Sequence, residues 1–71
     1  MLSFEGIEAG RAVRLRALVD VGWAVVIERP LGEDGEVCII EGPEGRVTGR
    51  GPTADAAAAD ALARLDGGDP S

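Results

Sequence analysis

The sequence predicts an α+β domain, a three-stranded antiparallel sheet with two helices on one face in the order α-β-β-β-α. Three observations lead there. The segment Ala54 to Leu65 repeats small and apolar residues at helical spacing, WAVVIER and EVCIIE are β-branched apolar runs joined by the turn-rich PLGEDG, and RVTGR alternates polar and apolar positions. The domain is assigned to residues 1–66, and residues 67–71, GGDPS, are expected to form a disordered tail.

The N-terminal segment is readable in two ways. AVRLRALV alternates as a strand would, at Val13, Leu15, Ala17 and Val19, yet Ala12, Leu15 and Val19 also share a helical stripe. Helix is preferred because Gly22 in DVGW can close a helix just before a strand starting at Trp23, and Arg16 and Asp20 are spaced as an i,i+4 pair. Gly6 and Gly10 place the start of this helix late.

The next two segments, Trp23 to Arg29 and Glu36 to Glu41, form a hairpin. A tight two-residue turn on Asp34-Gly35 would set Glu33 opposite Glu36 and Glu28 opposite Glu41, two like-charge pairs that cost stability. A wider loop is therefore expected. After the GPEG turn, Arg46 to Arg50 makes a short third strand with Arg46, Thr48 and Arg50 on one face and Val47 and Gly49 on the other. The polar face should be open to solvent or to a partner.

In the last segment Ala54, Ala57, Ala58, Ala61, Leu62 and Leu65 fall on one helical stripe. Thr53 stands at the N-cap, Asp55 places a carboxylate in the positive first turn, Asp60 and Arg64 are spaced as an ion pair, and Gly67 and Gly68 end the helix. Alanine projects a single carbon, so this helix can lie close against a sheet. Its alanines are packing residues and offer an outside ligand little to grip.

Charge narrows the function. Thirteen acids oppose seven arginines with no lysine, a net charge of −6. Direct nucleic-acid binding draws mostly on Lys and Arg neutralising phosphates, so nucleic acid is not expected as a ligand. The acids are unevenly spread: Glu28, Glu33, Asp34, Glu36, Glu41 and Glu44 accompany Arg29 alone, whereas Glu5 to Asp20 balances three acids with three arginines. One end of the molecule is expected to be negative, and these six residues are the candidate contacts to a protein partner with a basic surface.

Enzymatic chemistry finds little support in the residues present. There is no histidine and no tyrosine, serine occurs only at Ser3 and Ser71, and Cys38 lies in an apolar run as a core thiol would. A carboxylate pair such as Glu28 and Glu41 is the remaining acid-base candidate, in a domain with little room for a pocket. No disulfide or Cys/His zinc site can form, the glycines match no phosphate-cradling pattern, and GEDGE supplies too few oxygens for an EF-hand. No cofactor or metal is expected. A lone cysteine suits a reducing compartment, and no stretch approaches the roughly 18 apolar residues that span a bilayer, so a cytoplasmic protein is expected.

Two resemblances follow from these segments. The α-β-β-β-α order with a Gly-rich entry into an alanine-rich last helix resembles the double-stranded RNA-binding domain, whose binding lysines would fall at Ala54 and Asp55. With those positions occupied as they are, the resemblance implies the layout and not the RNA contacts. The second half, with Pro43, Gly45, Val47, Thr48, Gly51, Thr53, Asp55, Ala57 and Ala61, is similar to the HicB-like antitoxin domain, apart from one extra residue in GRGPT. That resemblance implies a toxin as partner. Short phage and prophage proteins share the hairpin followed by a GPT-led helix, and those with known roles commonly block a host or defence protein.

The function expected from the sequence is thus a non-catalytic acidic protein-binding module, a small phage-type inhibitor of the anti-CRISPR kind that occupies a basic nucleic-acid-binding surface. A HicB-like antitoxin and a dimeric scaffolding protein are the alternatives. A homodimer is also expected, because 71 residues with an alanine-rich helix bury little apolar area.

Overall fold

The computed structural model describes residues 4, 6–32 and 34–67. It is an α+β fold with α1 at Ala9–Asp20, β1 at Ala24–Glu28, β2 at Glu36–Gly42, β3 at Gly45–Gly51 and α2 at Ala54–Leu65. The strands form one antiparallel sheet in the order β1-β2-β3. Glu33 and most of the expected tail, residues 68–71, lie outside the described residues.

The ambiguous N-terminal segment is helical, and it begins earlier than its glycines suggest. Glu8 is the N-cap, and its carboxylate folds back to accept the N–H groups of Gly10 and Arg11. A β-carbon on Gly10 would sit 3.0 Å from that carboxylate, so the glycine makes room for the cap. At the other end, the Gly22 N–H donates to the Val19 carbonyl and the Trp23 N–H to the Leu18 carbonyl, both at 3.0 Å, with Gly22 at φ +101°. This is a Schellman closure, and it turns the chain directly into β1.

The hairpin avoids the like-charge register. Glu28 stands opposite Val37 and Ala24 opposite Glu41, and the link from Arg29 to Gly35 is wide. Alternation then sorts the sheet into two faces. Val25, Ile27, Cys38, Ile40, Val47 and Gly49 point toward the helices, while Val26, Glu28, Val37, Ile39, Glu41, Arg46, Thr48 and Arg50 share the other face.

Both helices pack on the first of these faces. Leu15 of α1, Val25, Cys38 and Ile40 of the sheet, and Ala57, Ala58, Ala61 and Leu62 of α2 form the buried core. Phe4, Trp23, Val47 and Leu65 are among the partly buried residues around it. The alanine stripe does what its small side chains permit. A β-carbon on Gly49 would run into the Ala61 nitrogen and the Ala57 carbonyl oxygen, and one on Gly51 would meet the Ala56 side chain. The backbone of α2 therefore rests almost directly on β3. Thr53 caps α2 by accepting the Ala56 N–H at 3.1 Å.

Candidate protein-binding surface

Arginines of the helical layer are matched one to one with aspartates. Arg11 binds Asp55, Arg14 binds Asp66 at 2.7 Å, and Arg16 and Arg64 pair with Asp20 and Asp60 one turn away. Asp60 also accepts the backbone N–H of Arg50 at 3.1 Å, which with Arg64 holds its carboxyl below the usual range. The segment from Glu28 to Arg50 is different, because six acids there accompany only Arg29, Arg46 and Arg50. Its negative charge is less fully compensated.

The structure divides the candidate acids between the two ends of the sheet. Glu28 closes β1, Glu36 opens β2, and Asp34 lies in the loop between them, so these three share one end. Glu41, at the far end of β2, and Glu44, in the turn before β3, belong to the other. Five residue steps of extended strand separate Glu36 from Glu41, roughly 16 Å. Glu33 cannot be placed with either group, as it lies outside the described residues. Glu28 and Glu41, the pair considered for acid-base chemistry, are not opposite one another. Counting charge along the chain misses this division, because an antiparallel strand carries successive acids away from one another.

At the loop end the surface is concave. A shallow cavity of about 360 Å³ is lined by Pro30, Asp34, Gly35, Glu36, Val37, Arg50 and Pro52, among others. Glu36 is partly buried and lies 3.7 Å from the Arg29 guanidinium, while Asp34 is exposed. Two acidic residues, Asp34 and Glu36, thus line the cavity together with Val37. At the turn end, a second cavity of about 240 Å³ is lined by Trp23, Ile40, Glu44, Arg46, Val47 and Leu65, among others.

Among the described residues there is no group of three or more His, Cys, Asp or Glu placed to hold a metal ion. Cys38 is fully buried, and burial raises its thiol pKa, the opposite of what an activated nucleophile requires. No helix among the described residues is long and apolar enough to cross a membrane. The open face of β3 carries Arg46, Thr48 and Arg50, all exposed, as the alternation predicts.

The residues at which an RNA-binding domain would present lysines have another use. Asp55 accepts two hydrogen bonds from Arg11, at 2.8 and 2.9 Å, and one from the Glu8 backbone N–H at 2.9 Å. Sequence reasoning assigned Asp55 to the helix dipole and missed this link to α1, for which spacing along the chain gives no signal. The α-β-β-β-α order expected from the sequence is present in the fold. Compared with protein-family models, curated proteins and solved structures, the chain matches none.

Proposed function

We propose that the chain is a non-catalytic protein-binding module, an inhibitor of the type phages direct at host or defence proteins, acting by covering a basic nucleic-acid-binding surface. The observation that carries this reading is the cavity at the loop end, whose lining includes Asp34, Glu36 and Val37. A partner's arginine or lysine suits such a lining, which offers carboxylates to its charge and apolar residues to its stem. The net charge of −6 without a single lysine favours approach to a positive surface over approach to nucleic acid. Glu28 adds charge at the same end, whereas Glu41 and Glu44 belong to the other end of the sheet.

The test begins with affinity capture from the native host, followed by association kinetics with the captured protein. Glu33→Gln, Asp34→Asn and Glu36→Gln together should slow association and reduce its salt dependence. An unchanged association rate in the triple variant would remove this reading and leave the acids as a solubilising surface.

A further inference from the structure

The two edges of the sheet are not alike. The β3 edge is protected: Arg46 and Arg50 lie along it, three glycines interrupt it, and the outward N–H of Arg50 is taken by Asp60 of α2. The β1 edge has none of these devices. Its sequence AVVIE carries no charge before its last residue, Val26 on the open face is 45% exposed, and among the described residues no group other than β2 hydrogen-bonds to the main chain of Ala24–Glu28.

We propose that β1 pairs antiparallel with β1 of a second copy across a two-fold axis at Val26, extending the sheet to six strands. Backbone alternation supports this register. The Arg50 N–H points off the sheet, so its partner Val37 directs its own N–H and C=O toward Glu28. Counting along β1, Ala24, Val26 and Glu28 then bond inward to β2, and Val25 and Ile27 present their N–H and C=O groups outward. A two-fold at Val26 brings Val25 opposite the partner's Ile27 twice over, a hydrogen-bonded pair on each side of the axis.

Side chains agree with that register. Val26 meets its own copy in a close, non-hydrogen-bonded pair, and Glu28 stands opposite the partner's Ala24, so no like charges face one another. The same operation at the centre of β3 would set Arg46 against the partner's Arg50. A second copy is thus accepted at β1 and disfavoured at β3. Among the residues that line the loop-end cavity none belongs to β1, although Glu28 takes part in both surfaces.

Sedimentation equilibrium of the full chain from low micromolar to millimolar concentration tests the proposal. The wild type should pass from a 7.3 kDa monomer toward a dimer. Val26→Lys and Val26→Glu, placed at an exposed position, should each weaken self-association by about tenfold or more while keeping the far-UV circular dichroism of the folded chain. An equimolar mixture of the two should restore a dimer, because opposite charges then meet across the axis. A wild type that stays monomeric throughout, which would leave the edge to an extended strand of another protein, overturns the proposal. So does folded Val26→Lys that dimerises like the wild type.

Discussion

Arg11 of α1 grips Asp55 in the first turn of α2 through two hydrogen bonds, Nε to Oδ1 at 2.8 Å and Nη2 to Oδ2 at 2.9 Å. The Glu8 N–H adds a third, so the start of α1 and the start of α2 are tied at one carboxylate. The Arg11 hydrogen bonds and then the Glu8 N–H hold the Asp55 pKa down to about 2. A depressed carboxylate pKa contributes stability that is present above its ordinary value near 3.8 and is lost as pH falls through about 2. Thermal melts of the wild type should therefore fall over that acid interval. Asp55→Asn should melt lower at neutral pH and show a shallower decline over the same interval; an Asn variant with the wild-type acid profile would assign the acid lability elsewhere.

Gly49 marks where α2 rests on β3, and its missing side chain is a packing requirement. A methyl there would overlap main-chain atoms of Ala57 and Ala61, which cannot swing aside as a side chain could. Gly49→Ala should cost about 1–3 kcal/mol, the range for overpacking a filled core. Chemical denaturation with an unchanged m-value would measure it. Thr48→Ala, on the exposed face of the same strand, is the control and should stay within about 0.5 kcal/mol.

Much of this architecture is legible in local pattern. The alanine stripe, the Thr53 cap, the Gly22 closure and the alternation of β3 are each encoded within a few residues, and like-charge repulsion correctly argues for a wide hairpin loop. The start of α1 is harder to read, because glutamate is not among the favoured N-cap residues and Gly10 suggests a break. The Arg11–Asp55 pair joins residues 44 positions apart and leaves no periodic signal. Likewise, the candidate acids cluster along the chain, but the placement of Glu28, Asp34 and Glu36 at one end of the sheet and of Glu41 and Glu44 at the other depends on a register that only pairing fixes.

Cys38 should report on stability. It is fully buried between the sheet and the helices, and burial raises its pKa, so the native thiol is both inaccessible and poorly ionised. Alkylation at neutral pH should proceed through opening of the core. Leu15→Ala, which removes the buried anchor of α1, should lower stability by about 2–5 kcal/mol and speed labelling in proportion. Rapid labelling of the wild type under native conditions would show that the core opens without unfolding.

Although its sequence pattern resembles that of double-stranded RNA-binding domains, the chain should not bind duplex RNA. At the start of α2 the side chains are Ala54 and an Asp55 already engaged by Arg11, so the positive helix end is occupied by the protein's own carboxylate. Arg46 and Arg50 are exposed on β3 and could supply two phosphate contacts at most, amid a chain of net charge −6. With so few contacts, affinity at about 150 mM salt should be too weak to detect. A mobility-shift titration to high micromolar protein checks this. Retention of the duplex that disappears in the Arg46→Ala, Arg50→Ala double variant would show that β3 binds phosphate and would replace the protein-partner reading with a nucleic-acid one.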